Sequence, residues 1–237
     1  MNVFFNKNVL YIREMPEDKV KNYYNEISDS YDESRFSNSY GAFIDKQERK
    51  FLETKITDKN NLNLCCGTGR FMEYCSTGLD FSEAMMAHAK KNYPHGNYFV
   101  GDAKKTPFQS GEFDTVLCFH AVMHLSPEET SEIFKEVNRI LKPGGLFIFD
   151  YPSGERRKLF RYKAKNWHGG NAFTSKQMKK MLAKQDWKVN EKKGVLFLPI
   201  HRFPKKMRKL VFGMDEAFSK SWFKNYSSYL MQCVVKG

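Results

Sequence analysis

Between residues 61 and 151, short apolar runs alternate with stretches in which apolar residues recur every three or four positions. This is the pattern of strands alternating with helices. The strand-like runs are 61–65, 78–80, 97–100, 113–119 and 146–151, and the fourth is apolar enough to be buried on both faces of a parallel sheet. A helix is predicted over 83–92, opened by Ser82 as N-cap with Glu83 in the first turn, and turning Met85, Met86 and Ala89 inward. Another is predicted to run from Ser126-Pro127-Glu128-Glu129 to Leu141 and to stop at Lys142-Pro143-Gly144-Gly145. Upstream, Val20, Tyr23, Tyr24 and Ile27 predict a helix from Pro16, followed by a polar connector over 29–36. A second helix over 40–55 carries Phe43, Ile44, Phe51 and Leu52 on one face. Downstream, Thr174 caps a helix to about Lys184 bearing Met178, Met181 and Leu182, and Trp187 begins a strand. A basic helical stretch over 199–222, broken at Pro199 and Pro204, leads to a last strand over 229–235. The alternation predicts a mostly parallel, doubly wound α/β sheet, with its ligand at the carboxyl ends of the strands beside the first. We expect one structural domain in three parts: an N-terminal helical lid (1–57), an α/β core (58–151) and a completing segment (152–237).

Composition narrows this picture. An apolar share of 41% and an aromatic share of 15% supply a packed core and exclude a disordered chain. No run approaches the roughly 20 apolar residues of a membrane span, and the first residues lack a signal-peptide apolar region, so a cytoplasmic protein is expected. The five cysteines have no metal-ligand spacing and read as reduced thiols; no metal is expected. The net charge of +12 is uneven: residues 154–224 hold 20 Lys or Arg against five Asp or Glu, while residues 1–153 hold 18 against 22. Such a segment is either a solvated lysine-rich face or a surface for an acidic substrate, a nucleic acid or an anionic membrane.

The chemistry concentrates at Asn61-Leu62-Asn63-Leu64-Cys65-Cys66-Gly67-Thr68-Gly69-Arg70, an apolar run ending in a small-residue turn before a short predicted helix, 70–75. Gly67 and Gly69 permit backbone conformations closed to other residues and let a ligand approach the main chain. The free N–H groups of a helix start there suit an anion.

From about Tyr24 to Val235 the chain resembles the class I S-adenosylmethionine (SAM)-dependent methyltransferases, especially the small-molecule enzymes. Five blocks carry the resemblance in order: the glycine turn; 78–85; Gly101-Asp102-Ala103 with Pro107-Phe108 and Phe113; 114–126; and Leu141-Lys142-Pro143-Gly144-Gly145 with the strand to Asp150. It implies a Rossmann-like seven-stranded sheet with helices on both faces and an antiparallel last strand. An N-terminal lid and a basic helical insertion before the last strand complete it. The implied cofactor is SAM, leaving as S-adenosylhomocysteine. By this resemblance Gly67 and Gly69 pass close to the methionine portion, Asp80 accepts the ribose hydroxyls, and Phe81 faces the adenine. Asp102 accepts the adenine amino group, the Ala103 N–H serves a ring nitrogen, Phe119 and His120 meet the methionine ammonium, and Tyr23 and Tyr31 belong to the lid. Two positions depart from the family: Asn63 stands where an acid is usual and Cys65 where a glycine is usual. The segment between Arg70 and Asp80 is also short.

Methyl transfer from a sulfonium is an in-line displacement, and a base is needed only if the acceptor must lose a proton. His124, His120 and Tyr151 are the candidates for it. His168, His201 and Arg202 are candidates for the acceptor side, Arg202 for an acidic group. The favoured expectation is transfer to an O or N atom of a small metabolite, acidic ones included. The alternatives are a methyltransferase acting on RNA or another polyanion through the basic segment, and a non-catalytic binding protein of the same fold. A nicotinamide-dependent dehydrogenase is disfavoured, because the third glycine of its fingerprint would fall on Met72.

Overall fold

A computed structural model describes residues 17–57, 60–162 and 170–237. Among these, the chain runs through α1 (Glu17–Ile27), α2 (Tyr31–Phe36), α3 (Ser39–Glu53), β1 (Asn61–Leu64), β2 (Thr77–Asp80), α4 (Glu83–Asn92), β3 (Asn97–Val100), β4 (Phe113–Cys118), α5 (Pro127–Ile140), β5 (Leu141–Pro152), α6 (Gly154–Leu159), α7 (Ser175–Ala183), β6 (Trp187–Val195), α8 (Arg208–Lys220) and β7 (Tyr229–Lys236). The seven strands form one sheet in the order β3-β2-β1-β4-β5-β7-β6. The first five are parallel, and β7 pairs antiparallel with both β5 and β6. The chain order reverses between β1 and β4, so a crevice opens at the carboxyl ends of those two strands.

Each face of the sheet has its own core. On one, Leu62, Leu64, Val116, Phe147 and Phe149 pack with Ile133, Phe134, Val137 and Ile140 of α5 and with Met178, Met181 and Leu182 of α7. On the other, Leu117, Ile148, Met231 and Cys233 pack with Phe43, Ile44, Phe51 and Leu52 of α3 and with Val211 of α8. Each fully buried Phe or Leu contributes roughly 1.5–3 kcal/mol. The helix starts are well marked: Ser126 with Glu129, and Thr174 with Gln177, form complete capping boxes, and the Ser82 hydroxyl accepts from the Met85 N–H.

Several expectations are corrected. The stretch predicted as a helix over 70–75 is a single 3-10 turn, Met72–Tyr74, because only six residues separate the glycine turn from Ser76. No helix of the β1–β2 crossover covers that face, and α3 from the N-terminal segment covers it instead. The polar connector over 29–36 is helical: a 3-10 turn, Ser28–Ser30, runs into α2. β5 begins at Leu141, with Gly144 at φ +76° and a register shift in β4 between Phe113 and Thr115, so the Pro-Gly-Gly stretch belongs to the strand. α6 was not anticipated, and the 199–222 stretch divides into two 3-10 turns, Ile200–Arg202 and Lys205–Met207, before α8. The predicted helix start at Pro16 lies outside the described residues.

Candidate active site

The glycine turn leaves the carboxyl end of β1 with three residues in the left-handed region: Cys65 (φ +58°), Gly67 (φ +54°) and Gly69 (φ +90°). The two glycines serve different purposes. A Cβ on Gly69 would press on the Ala89 Cα at 3.1 Å, so this glycine lets the turn sit against α4. A Cβ on Gly67 would meet nothing within 4 Å; it borders open space and lines the cavity. Cys65 pays the steric cost of a left-handed side chain, on the order of 1 kcal/mol. Its thiol meets that of Cys118, and both this contact and burial push it well above the usual thiol range.

The cavity measures about 400 Å³ and lies at the carboxyl ends of β1, β2, β3 and β4. At one end Cys65, Gly67, Asp80, Phe81, Asp102 and Ala103 line it, with Leu79, Met85, Val100 and Ile133 as apolar wall. At the other are Phe119, His120, His124, Gly170 and Asn171, and Val20, Lys21, Tyr24 and Tyr31 of the N-terminal helices close over it. Asp80 is buried; its Oδ2 accepts from the Gly67 N–H (2.8 Å) and its Oδ1 from the Ser82 N–H (2.9 Å). Burial raises its pKa despite those N–H groups. Asp102 is exposed, and its Oδ1 accepts from the Lys104 N–H at 2.8 Å.

The N-terminal helices are fastened around the turn. The Ser82 and Thr68 hydroxyls meet Asn25 Oδ1 (2.6 Å) and Asp32 Oδ1 (2.7 Å). The Tyr24 hydroxyl lies 2.8 Å from His124 Nε2. Below the cavity floor, Arg70 binds Asp45 (2.8 Å) and Glu48, and its guanidinium stacks on Phe36 and Phe71 at 4.1 and 4.2 Å. His120, itself left-handed (φ +57°), places Nε2 3.1 Å from Glu48 and Nδ1 3.6 Å from Asp150, whose Oδ1 also accepts from the His120 N–H at 2.6 Å. Burial works against the His120 charge, but Glu48 and Asp150 outweigh it and raise the pKa. Glu48 is pushed up by burial and pulled down further by His120 and Arg70, to about 2. Glu48, His120 and Asp150 bring donor atoms within 4.8 Å of one another, a spacing that would suit a cation. The Arg70 guanidinium already binds Glu48 and lies 3.1 Å from His120 Nε2, so a cationic side chain of the protein's own occupies this cluster.

Of the residues picked out in the sequence, the structure gathers Cys65, Gly67, Asp80, Phe81, Asp102, Ala103, Phe119, His120, His124 and Tyr31 around one cavity. It does not bring others there. Asn63 is buried beneath the turn and donates to the Arg70 carbonyl at 2.7 Å. Gly69 faces α4. Tyr23 sits edge-on to Tyr24, which takes the lining position because the helix turns its neighbour inward. Tyr151, a candidate base, is fully buried in the main core, with its phenol pushed up by burial. Arg202 is exposed in the turn after β6 and does not line the cavity; the side chain of His201 lies outside what the structure describes. His168 lies outside the described residues. Tyr24 and Glu48 were missed. Glu48 was visible as a carboxylate inside the apolar stripe Phe43, Ile44, Phe51 and Leu52.

The donor set fits a nucleoside: an open glycine cradle, a buried carboxylate at the end of β2 and an apolar wall. Residues 62–149 match the methyltransferase-domain family. An uncharacterized methyltransferase of Synechocystis is 39% identical over 92 residues, 36% of this chain and 43% of that one. A demethylmenaquinone methyltransferase of Lactococcus lactis is 31% identical over 56% of this chain and 58% of the relative. The chain spans about half the length of the curated relatives it matches. Among solved structures, a SAM-dependent methyltransferase of Thermotoga maritima, titled a possible histamine N-methyltransferase, superposes with a TM-score of 0.68 at 18% identity. That match covers 92% of this chain and 99% of the other. A geranyl diphosphate C-methyltransferase of Streptomyces coelicolor, solved with Mg2+, geranyl diphosphate and S-adenosylhomocysteine, superposes at 0.58 with 14% identity, covering 81% and 78%. Residues 62–149 therefore form a methyltransferase domain, and the fold around them is that of the class I SAM-dependent methyltransferases.

Proposed function

We propose that this protein transfers the methyl group of SAM to an O or N atom of a small acceptor bound in the same cavity. The observation that carries the reading is the shared wall: the glycine cradle and Asp80 line one end of a single cavity, and His120, His124 and Tyr24 line the other. SAM, when bound, supplies an electrophilic methyl on a sulfonium. Asp80, held by the Gly67 and Ser82 N–H groups, presents its remaining lone pairs to ribose hydroxyls. Phe81, Val100 and Met85 offer apolar faces to the adenine, beside Asp102 and Ala103. The lid helices exclude water, which strengthens every charge interaction inside. His120, whose pKa Glu48 and Asp150 raise, and Arg70 beside it give this end of the cavity a cationic side that favours an acidic acceptor or one that develops negative charge. His124, whose Nε2 meets the Tyr24 hydroxyl, is our candidate to take an acceptor proton, together with that hydroxyl.

A small acceptor is favoured over a polyanion because the described part of the basic segment gives the cavity only Gly170 and Asn171. Calorimetric titration with SAM under reducing conditions tests the first half of the reading. We expect one site in the wild type and at least ~10-fold weaker binding in Asp80→Ala, the loss of a charge-assisted hydrogen-bond acceptor. Absence of binding by the wild type sinks it. Mass spectrometry of a SAM-supplemented reaction with a metabolite extract tests the second half through a product in which a methyl group has replaced one hydrogen.

A further inference from the structure

The basic segment leaves the cavity almost untouched and gathers an apolar surface of its own. Along the 3-10 turn Lys205–Met207 and α8, Met207, Leu210, Met214 and Phe218 recur at helical spacing, and all are exposed, Leu210 to 70%. Their neighbours Val211, Asp215 and Ser219 are the residues that α8 buries against the body of the protein. The next turn, Trp222–Tyr226, exposes Trp222 to 91% and Phe223 to 54%. The end of α6 adds Leu159 and Phe160, at 60% and 64%.

Direct contacts tie these pieces together. Arg156 of α6 donates to the carbonyls of Phe197 (2.7 Å) and Tyr226 (2.8 Å) and lies over the Phe160 ring at 5.1 Å. Phe197 stacks on Phe218 of α8 at 4.9 Å, and the Ser221 N–H donates to the Phe218 carbonyl. An exposed apolar face of this extent marks an interaction site.

Its charge says which kind. Between residues 205 and 224 stand six Lys or Arg and two acids. One acid, Asp215, is buried and accepts from the Leu198 N–H; the other, Glu216, is neutralised by Lys50 and Lys220. Lys206 and Lys209 flank the apolar stripe and are exposed. Leu, Met and Phe on one helical stripe, Trp and Phe at its end, and lysines alongside are the chemistry of a helix lying in the interface of an anionic bilayer. The aromatic rings suit the headgroup boundary, and the lysine stems reach past the apolar face to the lipid phosphates. Among the described residues no helix is long and apolar enough to cross a membrane.

We propose that this protein docks on anionic lipid surfaces through the face formed by the end of α6, by α8 and by Trp222 and Phe223. The contact is peripheral: the apolar stripe enters the interface, and Lys206 and Lys209 meet the acidic headgroups. It does not depend on which acceptor is methylated.

Co-sedimentation of the full chain with vesicles of phosphatidylcholine alone, or of phosphatidylcholine with phosphatidylglycerol, tests it. We expect binding to the acidic vesicles only, falling as salt is raised. The emission of Trp222 should move to the blue on binding, a change absent from Trp222→Phe. Each lysine near a membrane surface is worth about 1 kcal/mol. Lys206→Glu/Lys209→Glu should therefore weaken partitioning at least ~10-fold, and Trp222→Ala/Leu210→Asn should weaken it similarly by removing apolar insertion. All four substitutions are at exposed positions, and unchanged SAM titration and melting would show that the variants are folded. Wild-type protein that ignores acidic vesicles, or variants that bind them as well as wild type, overturns the proposal. Self-association or RNA binding abolished by the same variants, with vesicles ignored, also overturns it and gives the face to that partner. A wild type that binds vesicles but not SAM leaves this inference standing and removes the proposed enzymatic function.

Discussion

Glu48 offers the sharpest test of how the lid is held to the cavity floor. Its carboxylate is buried between Arg70 and His120, and its folded pKa of about 2 compares with an ordinary 4.5. A depressed carboxyl contributes stability that is fully present above its unfolded pKa and is lost as pH falls through its folded one. Glu48→Gln imitates the protonated carboxyl while keeping its shape, so it should remove that contribution at neutral pH. At 1.36 kcal/mol per pH unit, the interval corresponds to ~3 kcal/mol. The loss should stop there, because Asp45 keeps Arg70 paired and Asp150 keeps His120 paired. Urea unfolding of both proteins at pH 7, 5, 4 and 3 is the assay. The gap should hold near ~3 kcal/mol down to pH 5, then narrow steadily below about 4.5, where the carboxyl takes up a proton in the unfolded wild type while the folded one stays ionised. His120 provides an independent signal. Its raised pKa gives stability present below the ordinary 6.5 and lost as pH rises through the folded value. In the variant one of its two carboxylates is gone, so its titration observed by NMR should move down. A gap under 1 kcal/mol at pH 7, or one that stays constant to pH 3, would refute the network reasoning.

Three further outcomes are expected. Cys65→Gly relieves a left-handed side chain at the cavity wall and should bind SAM at least as tightly as wild type by calorimetry; a tenfold loss would make the thiol a cofactor contact. Gly154→Ala places a Cβ 2.7 Å from the Thr174 N and 2.8 Å from the Phe173 carbonyl carbon, and should cost ~2 kcal/mol in urea unfolding; an unchanged midpoint would contradict that close approach. Tyr24→Phe removes the hydroxyl 2.8 Å from His124 Nε2. It should cost ~1 kcal/mol of stability, lower methyl-transfer turnover and leave SAM affinity near wild type. Unchanged turnover would remove His124 from the chemistry.

Much of the frame was legible along the chain, because it follows from local rules. Ser126-Pro127-Glu128-Glu129 announces α5 through capping chemistry, and the apolar run of β4 is of the kind buried in a parallel sheet. The glycine turn, Asp80 and Asp102 could be placed because each sits at a strand end, where backbone geometry dictates its surroundings. The length of the element after the turn was not legible. Whether six residues make a helix or a 3-10 turn depends on what packs over them, and here α3 occupies the face that a longer helix would cover.

The sequence by itself determined the alternation of strands and helices and the residues at the strand ends, since periodicity and capping act over a few neighbouring residues. Only the tertiary structure decided which of Tyr23 and Tyr24 faces the cavity, and that Tyr151 is core. It alone joined Glu48, Arg70, His120 and Asp150, distant in sequence, into one ion network. It also separated the basic segment from the cavity and exposed its apolar stripe. Burial, proximity of charges and direction of side chains are properties of packing between distant segments, and no local pattern encodes them.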